Sequence, residues 1–447
     1  MLTKEQIKNL RLEDLKKVHI IGIVSGFHAF VATHLLNMGI EVTASEATQD
    51  NDIAKDWIKR GVLYEGGHDS KYIKPDLDLV IFPNGPIPGN PECERAEELG
   101  IPTANLPEIL GLITQNFKTI AVAGTHGKTT TSAVMVWMLY KEYGELPNFV
   151  IGDEILDVKK TYNINNHSEY LVIESCEYKR QFLDRVPNPY ITVITNVELD
   201  HTDYYRDQED YNSAFREFIS HTRYKAVIDS RKDNVMNVIG TTPYIDCKDI
   251  EDMYEGVTAG LHGKHNHENV MRVCATANIL GIFPDIEDFP GVSARFQYLG
   301  KTKGGSMVYL DYAHNPDKIV SCLKEARELY PDKKIIFIWQ PHSIERSILF
   351  KDKFAKSLND ADIVMIPNIF IPLRELENYK KTGFRDQMSD EEFVKHIKVN
   401  SNKDVRYTEN FENTVEELKS FDKDAVFVFA SAGDLKDIFK LMDIANG

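Results

Sequence analysis

Between Lys118 and Tyr140 an apolar run, Lys118-Thr-Ile-Ala-Val-Ala123, meets the loop Gly124-Thr-His-Gly-Lys-Thr-Thr-Thr131 and then a second apolar stretch with helical spacing. Few segments leave a chain so little choice. Strand, glycine turn and helix start, in that order, make a loop whose backbone N–H groups converge on an anion, and the helix end adds positive potential. Lys128 supplies a point charge, and Thr129 a hydroxyl able to hold Mg²⁺ beside a phosphate. Gly124, Thr125, His126, Gly127, Lys128, Thr129 and Thr130 are therefore the candidate triphosphate loop. Its spacing is a variant, since Val122 stands where the standard form has its first glycine.

The rest of the chain alternates in the same manner. Lys17–Gly22 reads as a buried strand, 29–37 as a helix, and 40–45 and 77–82 as further strands. This βαβ rhythm gives a Rossmann-like domain over residues 1–116. A central P-loop domain follows over 117–298, with strands at 170–173 and 190–195 and a helix at 266–280. A second Rossmann-like domain over 299–447 has strands at 307–310, 334–338, 362–366 and 425–429. The expectation is an α/β protein of three domains, which suits 447 residues, too many for a single core.

Bulk properties narrow the function classes. A net charge of -17 argues against nonspecific binding of nucleic acid or an anionic membrane, but leaves a nucleotide ligand open, because a few local cations can hold a triphosphate. No run approaches the roughly 18 apolar residues of a membrane span, and the polar N-terminus has no signal-peptide core. Five cysteines, scattered and without a C-x-x-C pair, fit a reduced, cytoplasmic protein.

Two further residues end apolar strands. Glu174 closes Tyr170-Leu-Val-Ile, and His201 follows Ile191-Thr-Val-Ile-Thr195. A carboxylate and an imidazole facing a phosphate loop, with Thr129, suit Mg²⁺ bridging ATP and an acceptor carboxylate. Alone, either would read equally well as a capping glutamate or a structural histidine.

The loop form Gly-Thr-x-Gly-Lys-Thr-Thr resembles that of the Mur ligases and the related folylpolyglutamate synthetases. The likeness continues through Glu174-Ser-Cys-Glu-Tyr178, Thr195-Asn-Val-Glu-Leu-Asp-His201, Gly263-Lys-His-Asn-His-Glu-Asn269, Ala294-Arg-Phe296, Asp311-Tyr-Ala-His-Asn-Pro316, Gln340-Pro-His342 and Ser431-Ala-Gly-Asp434. It implies an ATP-dependent ligase that activates a carboxylate as an acyl phosphate and joins it to an amine. By the same resemblance Lys128, Glu174 and His201 are catalytic, with two Mg²⁺ expected. His265, Asn266 and Asn269 take the adenine, Arg295 the phosphates and Asp311 the ribose. Gly22, Ser25, Gly26 and His68 hold the UDP-sugar, and His314, His342 and Arg346 the amino acid.

Within the family the alanine-adding branch is favoured, with UDP-N-acetylmuramate and L-alanine as substrates and a monomer or weak dimer as the working form. Several other branches carry a carbamylated lysine four residues after a tyrosine; here Phe215 follows Tyr211, as in the alanine-adding branch. Some positions depart from the family pattern. The first loop, Gly22-Ile-Val-Ser-Gly-Phe-His28, carries bulky residues, Glu46 stands for a common aspartate, Asn315 for a histidine and Ser343 for an arginine. The sugar and the amino acid therefore stay open, with a tripeptide-recycling ligase and an inactive nucleotide-binding regulator as alternatives.

Overall fold

The computed structural model describes residues 1–83, 85–181, 188–201, 204–261, 263–371 and 388–445. It is an α/β protein with three sheets. The first holds β1 (Lys17–Ile21), β2 (Glu41–Ser45), β3 (Leu79–Phe82) and β4 (Thr103–Asn105), in the order β2-β1-β3-β4 and entirely parallel. The second holds β5 (Lys118–Ala123), β6 (Asn148–Ile155), β7 (Lys160–Asn163), β8 (Tyr170–Ser175), β9 (Ile191–Ile194), β10 (Lys225–Ile228) and β11 (Tyr244–Asp246). Their order is β11-β10-β9-β5-β8-β6-β7, and only the β6–β7 hairpin is antiparallel.

That order fixes where a ligand can bind. β5 lies between β8 and β9, and the chain crosses to opposite sides of it. The crevice outside the carboxyl ends of such strands is the binding position of open α/β sheets. The helix that follows, Lys128–Tyr143, is buried from Thr129 to Leu139, in keeping with a segment apolar on nearly every face. It stops at Gly144, whose φ of 74° returns an N–H to the Tyr140 carbonyl, as helix C-termini commonly do.

The third sheet contains β12 (Gln297–Thr302), β13 (Met307–Asp311), β14 (Ile335–Trp339), β15 (Ile363–Ile366), β16 (Asp404–Tyr407), β17 (Val426–Ala430) and β18 (Ile444–Ala445), ordered β16-β15-β14-β17-β13-β12-β18. Alternate residues of β14 enter two cores. Ile335, Phe337 and Trp339 join Phe354 and Phe393 on one face, while Ile336 and Ile338 join Phe427 and Phe429 on the other. Such two-sided burial explains why these strands read as unbroken apolar runs.

Contacts divide the chain into two compact units, Met1–Gly291 and Val292–Gly447. Within the first, the two sheets share one core: Leu12, Phe30 and Leu110 belong to the same buried cluster as Ala121, Leu171 and Phe215. They come close together at Gly26, where an added Cβ would lie 2.5 Å from Thr161 Oγ1 on β7.

The strands read from the sequence are present with ends shifted by one or two residues. The reading passed over β4, β6, β7, β10, β11, β12, β16 and β18. Several are only two to four residues long, too short for alternation to show. β7 has a half-exposed to exposed burial pattern and exists through its pairing with β6.

Candidate active site

The loop after β5 owes its shape to two glycines. Gly124 has φ 142° and Gly127 φ 79°. A Cβ on Gly124 would meet Thr195 Oγ1 at 2.0 Å, and one on Gly127 would meet Asn269 Oδ1 at 2.5 Å. The backbone thus lies directly against the end of β9 on one side and the Lys264–Leu280 helix on the other. Asn196 clasps it: the N–H groups of Thr125 and His126 donate to Asn196 Oδ1 at 3.0 and 2.9 Å. The Asn196 amide returns a bond to the His126 carbonyl at 3.2 Å. Thr125 Oγ1 donates to the Glu198 carbonyl at 2.7 Å and contacts the Tyr211 hydroxyl at 3.0 Å. Behind the loop the buried Arg272 ties the end of β9 to the helix through the carbonyls of Ile194, Thr195 and Glu268.

Lys128 Nζ turns back over the loop, donating to the carbonyls of Gly124 (2.6 Å) and Thr125 (3.2 Å), and pairs with Glu177 Oε2 at 2.9 Å. Burial opposes charge on this lysine, yet Glu177 and neighbouring groups hold its pKa above the ordinary value. Burial likewise opposes the Glu177 carboxylate, but Lys128 and His201 outweigh it and bring its pKa down to about 2. Both groups are ionised.

Thr129 Oγ1 donates to Glu174 Oε1 at 3.1 Å, and the Gly152 N–H donates to Glu174 Oε2 at 2.7 Å. Gly152 leaves the needed space, since a Cβ there would sit 2.8 Å from that oxygen. His201 has φ 53°, uncommon outside glycine and found where the surroundings over-determine a backbone. Its Nε2 lies 3.4 Å from Glu177 Oε1. Among the described residues, the group able to surround a metal ion is Glu177, Asp200 and His201, whose ligand atoms lie within 4.8 Å of one another. The structure therefore brings Thr129 to Glu174, and His201 to Glu177 and Asp200. Glu177 was missed as a site residue although it lies in the quoted Glu174–Tyr178 motif; only the fold sets its carboxylate against Lys128. Carboxylate and imidazole donors beside a glycine cradle that admits no Cβ suit Mg²⁺ and a polyphosphate.

Asn266 and Asn269 are buried on the inner face of their helix, with the Asn269 amide 3.5 Å from Asn266 Oδ1. His265 beside them is exposed.

In the first sheet, three of the candidate sugar-binding residues also carry the fold. Gly22 turns at φ 83°, Ser25 caps the Gly26–Asn37 helix, and Gly26 makes the close approach to Thr161. The N–H groups of Ile23 and Val24 donate to Glu46 Oε2 at 3.1 and 3.3 Å, so a carboxylate of the chain fills the start of this loop. His68 Nδ1 lies 2.8 Å from Ser45 Oγ, which donates to the buried Glu92 at 2.5 Å. Since the serine proton goes to Glu92, His68 Nδ1 carries a hydrogen toward Ser45. His19 Nε2 reaches the same carboxylate at 3.5 Å.

The second unit places the remaining candidates. Asp311 accepts from the N–H groups of Phe296 (2.8 Å) and Ala313 (2.7 Å), and the Arg295 guanidinium lies 4.9 Å over the Tyr312 ring. His314 Nδ1 donates to the Tyr312 carbonyl at 2.8 Å, leaving Nε2 as an acceptor. Burial, together with Lys318, Arg346 and His342, pushes its pKa down to about 3, so the ring is neutral. The rings of His314 and His342 are 6.4 Å apart. Gln340 is fixed by Asp434 (2.7 Å) and Ser431 (2.9 Å), which explains why those separated motif residues occur together.

The family model of the Mur ligase middle domain matches residues 122–250, and that of the Mur ligase glutamate ligase domain residues 294–433. A UDP-N-acetylmuramate–L-alanine ligase of Alkaliphilus metalliredigens is 33% identical, covering 81% of this chain and 85% of that protein. Its counterpart in Caldanaerobacter subterraneus is 32% identical, covering 96% and 97%. Among solved structures, UDP-N-acetylmuramate–alanine ligase of Thermotoga maritima aligns with a TM-score of 0.72 at 24% identity, covering 95% of this chain and 97% of that one. A murein peptide ligase of Psychrobacter arcticus gives 0.64 at 20%, covering 95% and 98%. At those identities the solved structures speak to the fold.

Proposed function

Because the chain belongs to the Mur ligase family, a family of ATP-dependent, ADP-forming ligases, we propose that it joins L-alanine to UDP-N-acetylmuramate in peptidoglycan precursor synthesis. The observation that carries this reading is the convergence of Lys128, Thr129, Glu174, Glu177 and His201 at the carboxyl edge of the second sheet. Relatives bearing that activity in their names match over most of the chain, which favours alanine as the amine.

A free carboxylate resists attack by an amine, being anionic and lacking a leaving group. Transfer of the γ-phosphoryl group to a carboxylate oxygen releases ADP and makes an acyl phosphate. The alanine nitrogen then forms the C–N bond, inorganic phosphate leaves with the C–O bond, and the nitrogen gives up a proton. Such transfers depend chiefly on positioning and charge. Lys128 and the loop N–H groups hold the phosphates, while Glu174, Asp200, His201 and Thr129 would hold two Mg²⁺, whose charge would offset that of the transferring group. Asn266, Asn269 and His265 take the adenine, Asp311 the ribose and Arg295 the phosphates. Neutral His314, with His342 and Arg346, holds the amino acid, Arg346 gripping its carboxylate in two-point fashion. Gly22, Ser25, Gly26 and His68 take the UDP-sugar. In this reading residues 1–116, 117–298 and 299–447 serve sugar, nucleotide and amino acid in turn, in a cytoplasmic monomer or weak dimer.

The test is phosphate release by the purified protein with UDP-N-acetylmuramate and either L-alanine or a preformed tripeptide. Turnover with alanine alone is expected; turnover with the tripeptide alone would assign the recycling reaction, and none with either an inactive regulator. Lys128→Ala should abolish ligation while the circular dichroism spectrum is unchanged.

A further inference from the structure

We infer that Glu177 is a built-in counter-ion that occupies Lys128 before the nucleotide arrives, and that it makes nucleotide entry depend on accompanying magnesium. This deepens the ligase reading above and rests on it. The Lys128 ammonium has three N–H groups and three partners: the carbonyls of Gly124 and Thr125, and the Glu177 carboxylate. No donor is left for a phosphate. The two carbonyls belong to the loop that would itself wrap the phosphates, so the partner that must yield is Glu177.

Glu177 has nowhere to retreat. Its side chain is 2% exposed, and its main chain is pinned by the Tyr205 hydroxyl, which donates to the Glu177 carbonyl at 2.5 Å. Its other side-chain neighbour, His201, has Nε2 3.4 Å away. Glu174 sits on Thr129 at the head of the same helix, and Asp200 completes the ligand cluster with Glu177 and His201. A free polyphosphate entering here would therefore set its charge against three carboxylates while taking their lysine. Like charges in a dehydrated crevice repel strongly. A divalent cation arriving with the phosphates reverses the balance: it gives Glu177 a new partner and releases Lys128 to the phosphate.

The experiment titrates the full-length protein with ATP by calorimetry, once in excess EDTA and once in excess MgCl₂. Wild type should bind ATP at least about tenfold more weakly without the metal. Glu177→Gln, which removes the charge and keeps the shape, should strengthen metal-free binding by roughly tenfold and narrow the gap between the two conditions. Glu177→Asp keeps the charge and should keep the gap. A purely structural Glu177 would weaken both conditions alike. Wild type binding ATP equally with and without metal, or Glu177→Gln leaving the gap unchanged, would overturn the inference. If the glutamine variant does not fold, Glu177→Ala serves the same comparison. Failure of wild type to bind ATP in magnesium would instead fault the ligase reading, so the two ideas fail separately.

Discussion

His68, Ser45, Glu92 and His19 form a chain of polar groups inside the first sheet, and its charges set a pH signature. Burial opposes the Glu92 carboxylate, but His19, His68 and Ser45 bring its pKa to about 2 from an ordinary 4.5. The stability this confers, about 3 kcal/mol, is present above pH 4.5 and lost as pH falls toward 2. His68 moves the other way: its bond to Glu92 raises its pKa above 6.5, so its share is present below 6.5 and lost as pH rises through the raised value. Glu92→Gln should thus be destabilised most between pH 4.5 and 6.5, the deficit closing as pH falls toward 2 and shrinking only by the His68 share as pH rises; urea unfolding at a series of pH values checks it. Very little of this network was legible beforehand. His68 could be picked out by family position, but Ser45 and Glu92 are 47 residues apart and look like ordinary surface chemistry until β2 and the Pro91–Glu98 helix meet. Glu177 escaped for a similar reason. Lys128, by contrast, was readable because all it needs is strand, turn and helix in sequence.

At the level of elements, the phosphate loop works only if two helices and β9 approach within backbone distance. Gly127 supplies the left-handed turn and the space against Asn269. Gly127→Ala would force a Cβ into both, costing at least about 2 kcal/mol. Thermal melting should fall accordingly, and ATP affinity should drop further than the melt alone explains, since Asn269 is displaced with the loop; an unchanged melting temperature would contradict the packing described. Strands read most reliably where both faces are buried, as in β5, β8, β14 and β17. The edge strands were lost because a polar, short segment becomes a strand only when a neighbour offers its hydrogen bonds.

Across the whole molecule, the sequence rhythm separates a first Rossmann-like region from the P-loop region near residue 116, whereas contacts keep both in one unit to Gly291. No local pattern announces a shared core, because it arises from which faces meet. The consequence is testable by dissection. A fragment of residues 1–291 should unfold in one cooperative transition, while residues 1–116 alone should expose Leu110 and Ile113 and fail to give one; a sharp melt for the shorter piece would refute this. No described helix is long and apolar enough to cross a membrane.

The contact of Gly26 with Thr161 carries one more implication. The hairpin that bears Thr161 runs through β6 to Gly152, whose N–H holds Glu174. The start of the Gly26–Asn37 helix and the Glu174 carboxylate beside the phosphate loop are thus joined by one hairpin, like two jaws mounted on one bar. Tilting one jaw would strain the other, so a displacement at Gly26 would be felt at Glu174.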